Sequence, residues 1–510
     1  MTADDPRELP DDASRNGTGV QDDLENGKGS KLMRLYSNPW TQIILISFIC
    51  FCLPGMYNAL TGLGGSGQVD STVAANATVA LLSTTAVASL FFVGPILSLV
   101  GPKIAFLIGG WTYALYSGSL LNFNHTANGT FVIASGAILG IGSSFIWIVQ
   151  GAIMTTYVHE SQKGRAIAVF WIIFNLGGGV GSLAAFGLNF SSTTGTVNDA
   201  TYIALMAVML FGWALGLFIC SPKRIRLAQL SAVTEAEDTR NRSHASASAS
   251  ASGFAARARG LVTMTTTTLC TWRVACMLPL FFCANVFYSY QQNEVNGMTF
   301  TLRTRSLNGA LYWLAQMVGG LLIGLLLDLP ALDRPGRARL GWAVLFVTGM
   351  AIWGGGYRFQ RWQDARRAQG HVQDVDYAQG VPGSGARTSA AGPMVLYVLY
   401  GAYDSLWQSY CYWLVGAQSN STGRAAVLVG AYKAFQAAGG AMAWRINAQR
   451  ASAMAQLAMN WGLSMGALVF ALPTVLAVTK STGALEEAGV GGVDEEEAEK
   501  GAQGKKVEVL

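Results

Sequence analysis

The feature that most constrains this chain is a series of long apolar runs, each of the length that crosses a lipid bilayer. The first, TQIILISFICFCLPGMYNAL from Thr41, suffices for about 30 Å of hydrocarbon at about 1.5 Å per helical residue. About twelve runs follow one another, starting near Trp40, Val73, Ile104, Phe131, Ala166, Tyr202, Trp272, Leu307, Gly341, Met394, Ala425 and Ala455. Since 51% of the residues are hydrophobic and only 12% charged, the sequence predicts an all-α integral membrane protein surrounded by lipid.

A glycine motif after the first run raises the alternative of a nucleotide-binding site. Gly62, Gly64 and Gly67 fit the dinucleotide-binding spacing G-x-G-x-x-G. That fingerprint needs a short strand before the glycines and an acidic residue about 20 positions later, whereas here STVAANATVALLSTTAVASLFFVG follows and contains no acid. We therefore interpret these glycines as the loop that follows the first membrane helix, and expect no nucleotide cofactor.

Enzyme chemistry finds little support in the sequence. The histidines lie in loops or at helix ends, and no cysteine or acid cluster accompanies them at the spacing of metal ligands: they are His125, His159, His244 and His371. We therefore predict no enzyme activity, no metal site and no cofactor. The net charge of +5 comes from loops rather than one basic groove, which argues against nucleic acid as a partner.

Composition divides the chain into five parts. Both ends are polar, and the segment NRSHASASASASGFAARARG between the two groups of six runs has the Ala/Ser composition of a linker. The predicted parts are a cytoplasmic N-terminal tail (1–39), a six-helix bundle (40–222), a cytoplasmic linker (223–265), a second six-helix bundle (266–479) and an acidic C-terminal tail (480–510), both tails being disordered.

Basic residues predict the orientation in the membrane. If the N-terminus is cytoplasmic, the cytoplasmic connections of the first half hold Lys103, Lys163, Arg165 and the basic cluster after Ser221, whereas its outer connections hold no Lys or Arg. Four N-x-Ser/Thr asparagines fall on the predicted outer side and are candidate glycosylation sites: Asn76, Asn124, Asn128 and Asn189. Twelve spans place both termini in the cytoplasm; the kind of membrane stays open.

Similar basic elbows recur at equivalent places in the two halves. GPILSLVGPK follows the second run and GLLLDLPALDRPGRAR the eighth, which is the parallel-repeat plan of the major facilitator fold. The second elbow resembles the D-R-x-G-R-R loop of that superfamily through four candidate gating residues: Asp333, Arg334, Gly336 and Arg337. In the first elbow Ser98 and Leu99 replace the acid and the arginine.

Three phrases narrow the resemblance further. NPWTQIILISFICFCLPGMYNALTGLGGSGQ, KGRAIAVFWIIFNLGGGVGS and FTLRTRSLNGALYWLAQ together resemble the Unc-ninety-three-like family, a divergent major facilitator branch named for an ion channel regulatory protein. The resemblance implies twelve membrane helices, but no agreed substrate residues. It also implies two kinds of activity, since some members act as accessory subunits of other membrane proteins and others are described as transporter-like.

Two charged residues fall at bilayer depth, where charge is costly and tends to be paired or functional. Asp404 and Lys433 lie in consecutive antiparallel runs, each roughly 13 to 17 Å from the short loop between them at about 1.5 Å per residue. We expect them to meet, either as a structural ion pair or as part of ion or substrate gating.

Three uncharged residues complete the candidate pathway. By analogy with the major facilitator arrangement, in which helices one, four, seven and ten line the central cavity, Asn58, Gln150 and Tyr288 would face it together with Asp404. Hydrogen bonding between helices is the alternative role for each. The sequence thus predicts a transporter of a small solute or ion that works by alternating access, with a non-transporting accessory subunit of a channel or another membrane protein as the alternative.

The orientation predicts that a protease tag inserted at Ser246 lies in the cytoplasm. In sealed, right-side-out vesicles the tag should be completely protected, because the linker follows an even number of spans. Ready cleavage there in intact vesicles would overturn the topology, whereas cleavage only after detergent treatment would support it.

Overall fold

The computed structural model describes residues 31–62, 71–189, 199–225, 263, 266–382 and 389–481. Within them the backbone is helical apart from turns, short connections and two isolated β-bridges. The predicted tails and linker lie largely outside these ranges, as do Gly64 and Gly67 of the glycine loop.

After a short helix, Lys31–Tyr36, the described part of the first half contains six numbered helices in chain order. They are α1 (Pro39–Cys50, continued by Phe51–Gly55 and Met56–Gly62), α2 (Ser71–Ala88, continued by Ser89–Val93), α3 (Thr112–Thr126), α4 (Gly129–Thr156), α5 (Lys163–Asn189) and α6 (Asp199–Leu215). A further helical segment, Gly94–Gly110, joins α2 to α3 and breaks at Gly101, whose φ of 79° lies in the left-handed region that glycine tolerates. One long helical stretch is thereby divided into two membrane passes.

The second half repeats this arrangement. Its helices are α7 (Trp272–Cys283, resumed as the π-helix Tyr290–Gly297), α8 (Leu302–Leu327), α9 (Arg334–Ala368), α10 (Ala391–Gln418), α11 (Thr422–Ala448) and α12 (Ala453–Leu476). In the described ranges, eight helices are long and apolar enough to cross a membrane, one being the stretch Asn76–Thr126 that Gly101 divides. α10 and α11 are not among the eight, and both carry charged and amide side chains. The all-α chain of about twelve helices is confirmed.

A π-helical turn interrupts α1 at Pro54, which lies within the first apolar run. Pro54 lacks the N–H that an α-helix would use at this position, and the ladder widens over Phe51–Gly55 before the α-helix resumes. Gly55 faces α5 so closely that a Cβ there would lie 3.1 Å from the Cα of Gly177. Because proline removes a helical hydrogen bond and glycine tolerates the resulting bend, we predict that Pro54 and Gly55 act as a hinge.

The two halves meet along two seams. α5 packs against α8 on one side, and α11 packs against α2 and α4 on the other. Glycines let the backbones approach, as lipid-embedded helices require because apolar burial alone does not drive their association. At the second seam a Cβ on Gly430 of α11 would lie 2.5 Å from the carbonyl oxygen of Ser89 in α2.

The contact of α5 with the π-helical turn predicts opposite effects of two neighbouring glycine substitutions. In Gly177→Ala the new Cβ would lie 2.6 Å from the carbonyl oxygen of Phe51. Overpacking costs about 1–3 kcal/mol, which outweighs the gain of up to about 1 kcal/mol that alanine brings to a helix interior. We expect a lower unfolding temperature of the purified protein.

Gly179→Ala is the matched control, since nothing lies within 4 Å of a Cβ there. This variant should be as stable as the parent or slightly more stable. Equal unfolding temperatures for the two variants would contradict the close packing of α5 on α1.

Candidate functional site

Asp404 lies in the middle of α10 and is completely buried, with 0% of its surface exposed. Its carboxylate accepts hydrogen bonds from the hydroxyl groups of Tyr288, which is in contact at short range, and Tyr312, at 3.3 Å. The Nε2 amide of Gln408, one helical turn further along α10, donates to the other carboxylate oxygen at 2.7 Å. Three uncharged donors therefore satisfy both oxygens of a carboxylate that no water reaches.

Lys433 lies at the middle of α11 and is 5% exposed. Its ammonium group donates one hydrogen bond, to Oε1 of Gln436 at 2.8 Å. Three aromatic rings surround the same nitrogen, with centroids at 4.3 Å for Trp147, 4.7 Å for Tyr432 and 5.1 Å for Tyr412. We call these three rings the aromatic cage; each lies within the range of a cation–π interaction.

The two charges are joined through amides rather than by direct contact. Among the described residues no salt bridge links Asp404 to Lys433, so the expected direct meeting is wrong. Gln436 accepts from Lys433 and donates from Nε2 to Oε1 of Gln408 at 3.0 Å, and Gln408 donates to Asp404. We call this series of hydrogen bonds the amide relay. It forms because each glutamine lies three or four residues from the charge on its own helix, and therefore on the same helix face.

The other predicted pathway residues differ in whether they contact Asp404 or the aromatic cage. Tyr288 contacts Asp404 directly. Gln150 of α4 accepts a hydrogen bond from the hydroxyl of Tyr412 at 3.0 Å, which ties the first half to the cage. Asn58 is half-buried near the end of α1 and is not one of the donors to Asp404.

Sequence reasoning missed several members of the site. Helical spacing could have found the amides, since Gln408 is four residues after Asp404 and Gln436 three residues after Lys433. The same rule places Trp147 on one face of α4 with Gln150. Tyr312 and Tyr432 carry no such local signal, because tertiary packing brings their hydroxyl groups to the network.

The four predicted gating residues make contacts within the second half. Asp333 caps α9 by accepting from the backbone N–H of Gly336 at 2.9 Å. Arg337 donates from Nε to two backbone carbonyls of the preceding loop. Arg334 is buried and donates to the carbonyl of Ala417, at the end of α10, at 3.0 Å. Their role in gating stays a prediction.

A different acid reaches across the seam. Asp328, at the end of α8, accepts from the backbone N–H groups of Gly164 at 2.8 Å and Arg165 at 2.7 Å, in the first turn of α5. A carboxylate is favoured there because the N–H groups of a first helical turn have no partner within the helix. Burial raises the pKa of Asp328 above its ordinary value, while the two N–H donors and the Arg165 charge oppose that shift.

A lysine completes the same contact between the halves. The ammonium group of Lys163 donates to the carbonyl of Gly416 at 2.5 Å and to Oδ1 of Asn420 at 2.9 Å, at the end of α10. We call the contacts of Asp328 and Lys163 the latch. Its sequence signal is an acid, Asp328, directly after the last apolar residue of α8.

The candidate glycosylation sites that the structure describes are exposed. Asn76 lies on α2, Asn124 donates to Asp199 at 3.1 Å, and Asn128 caps α4. Asn189 ends α5, and its side chain lies outside the described residues. Modification of these asparagines stays a prediction. In the described ranges no group of three or more His, Cys, Asp or Glu side chains could hold a metal ion.

Comparison with known proteins places the chain in a family. Residues 71–329 match the family described as "Ion channel regulatory protein UNC-93". An UNC93-like protein of Schizosaccharomyces pombe is 38% identical over 447 residues, covering 88% of this chain and 84% of the relative. UNC93-like protein 1 of Arabidopsis thaliana is 36% identical over 453 residues, covering 89% and 92%. The likeness therefore extends well beyond residue 329.

Solved structures identify the fold. The major facilitator superfamily transporter FucP in its outward conformation matches 87% of this chain and 99% of its own, with a TM-score of 0.53 and 10% identity. The proton:xylose symporter XylE matches 87% and 94%, with a TM-score of 0.55 and 12% identity. Identities this low show the fold alone. The predicted major facilitator fold is confirmed.

The amide relay predicts that coupling between Asp404 and Lys433 depends on Gln408. Asp404→Asn, Lys433→Met and the double variant should show a coupling free energy of about 0.5–3 kcal/mol in unfolding, because an unpaired buried charge remains in each single variant. The measurement is unfolding in mixed detergent–SDS micelles.

In a Gln408→Leu background the coupling free energy should fall, because leucine can neither accept a hydrogen bond from Gln436 nor donate one to Asp404. Gln449→Leu, at an exposed position just after α11, is the matched control and should leave the coupling unchanged. Coupling that survives Gln408→Leu would mean that the charges act directly through space.

Proposed function

This chain belongs to the UNC-93 ion channel regulatory protein family, and from its major facilitator-type fold we propose that it moves a small solute or ion by alternating access between its two halves. The observation that carries the proposal is a buried charged site at the seam. Lys433 of α11 lies against Trp147 of α4, and Tyr412 of α10 is bonded to Gln150 of α4. Groups of both halves thus surround one buried charge.

A purely structural role fits this arrangement less well. A buried charge costs several kcal/mol even after relaxation, and a direct, well-aligned ion pair offsets that cost most effectively. Here the partners of Asp404 and Lys433 are instead neutral hydroxyl groups, amides and rings. Such partners can be exchanged for a bound solute without leaving two bare charges, which is what a transport site requires.

The latch supplies a second element that alternating access needs. It holds one end of the α5–α8 seam through a few hydrogen bonds that involve charged side chains, each contributing about 1.5–3 kcal/mol. Binding of a solute offers free energy of the same order, so a closed end can be opened without disrupting an apolar core. The basic residues of these connections favour the cytoplasmic side for the latch and for both termini.

A role as an accessory subunit of an ion channel is the second candidate. The description of the matched family favours it. So does a shallow apolar groove between α2 and α11, lined by Ala86, Val87, Phe91, Ala434 and Ala438, where a partner helix could pack through small residues. In this role the charged site would fix the helices rather than bind a solute.

Uptake into vesicles that contain the purified protein distinguishes the two candidates. A panel of solutes that includes potassium should reveal saturable uptake above that of empty vesicles, and Asp404→Asn should reduce it at least about tenfold, because Asp404 anchors the amide relay. If no member of the panel is taken up and the protein alters the currents of a co-reconstituted channel, the accessory role is favoured.

The latch predicts that neutralising Asp328 opens the seam. An amide accepts only through one oxygen and carries no charge, so Asp328→Asn weakens both hydrogen bonds to the first turn of α5. Labelling of S419C, a position 2% exposed beside the latch, should accelerate about tenfold in this variant. The rate is followed by mass spectrometry of the labelled peptide.

Asp333→Asn is the matched control, because Asp333 caps only its own helix. It should leave the labelling rate of S419C unchanged. Equal rates in both variants would show that Asp328 does not hold the halves together.

A further inference from the structure

The ammonium group of Lys433 has unused hydrogen-bonding capacity. It carries three N–H donors, but among the residues that the structure describes one oxygen acceptor contacts it, Oε1 of Gln436. The other partners are the faces of the aromatic cage. A ring face attracts a cation but is a weaker partner than a charged oxygen, so the site holds a positive charge that is only partly compensated.

The carboxylate of Asp404, by contrast, already has hydrogen-bond donors at both of its oxygens. One carboxylate oxygen accepts from Gln408 and the other from Tyr288 and Tyr312. A cation entering the site would find this carboxylate already occupied and Lys433 already within the aromatic cage. The geometry therefore disfavours a cationic solute at this position.

A second donor with a poor acceptor is connected to the aromatic cage through Tyr412. The Nε2 amide of Gln150 donates to the sulfur of Met154 at 3.3 Å, and a thioether is a weak acceptor. The Oε1 atom of the same side chain accepts from Tyr412, whose ring belongs to the aromatic cage. Trp147, also of the cage, is three residues before Gln150 on the same face of α4.

We propose that this site binds a small organic anion whose carboxylate accepts from Nζ of Lys433 and Nε2 of Gln150. The aromatic cage then packs against the apolar part of the anion. The inference rests on the proposed transport function and names the class of solute. Because Lys433 belongs to the second half and Gln150 to the first, one carboxylate contacts both halves at once, so its affinity depends on whether the seam is closed.

Binding to the purified full-length protein tests the inference apart from transport. Radiolabelled benzoate is the probe, measured by equilibrium dialysis, with lactate, benzyl alcohol and benzylammonium as competitors. We expect saturable binding of benzoate, competition by lactate, and at most weak competition by the alcohol or the ammonium compound.

Two variants locate the site. Lys433→Met should weaken binding at least about tenfold, since it removes the charge, while Lys480→Met at an exposed position after α12 should leave it unchanged. Gln150→Glu is nearly isosteric and replaces the proposed Nε2 donor by a carboxylate, so it should abolish benzoate binding by removing that donor and repelling the anion. A monodisperse gel-filtration profile confirms that each variant is folded.

The outcomes separate the inference from the proposed function. Saturable binding of benzylammonium in place of benzoate, or benzoate binding that Gln150→Glu leaves intact, would overturn the anion site. Benzoate binding lost in both site variants supports the anion site even if vesicles show no uptake, in which case transport is the proposal that fails. Uptake of another solute without any carboxylate binding would overturn the solute class and leave transport standing.

Discussion

A charged side chain buried at the centre of this protein needs its partners within the protein, because hydrocarbon offers none. That constraint explains why α7, α8, α10 and α11 converge on one network of hydroxyl groups, amides and rings. Asp404 draws its hydrogen bonds from three different helices. Lys433 is held by one amide and by rings on three helices, one of them in the other half. The packing of the second half, and its contact with α4, depends on satisfying these two side chains.

The same constraint decides how far the sequence could predict the structure. Apolar runs of spanning length predicted the number and type of the helices. In lipid a single spanning segment can pair all of its backbone N–H and C=O groups only as a helix. The positions of Asp404 and Lys433 near the middle of consecutive helices also followed from counting residues. Their mutual contact did not, because Gln408 and Gln436 are inserted between them by the relative rotation of α10 and α11, which one sequence does not encode locally.

The elbow after α8 shows a second limit of sequence reasoning. Asp333 matches a familiar loop pattern, yet it caps its own helix, whereas Asp328 reaches the first turn of α5. A linear motif shows that an acid is available. It does not show which N–H groups in the other half lie within reach, since that depends on how the halves pack.

The position of the latch also sets an order of events for any separation of the halves. Gly164 and Arg165 bond to Asp328 at the end of the helices, where released N–H groups can be hydrated at once. Lys433 lies near the middle of α11 and is buried among its rings, where a released ammonium group meets no water unless a wetted path already reaches it. Hydration must therefore advance from the helix ends inward. The innermost contact is the last to part and the first to reform.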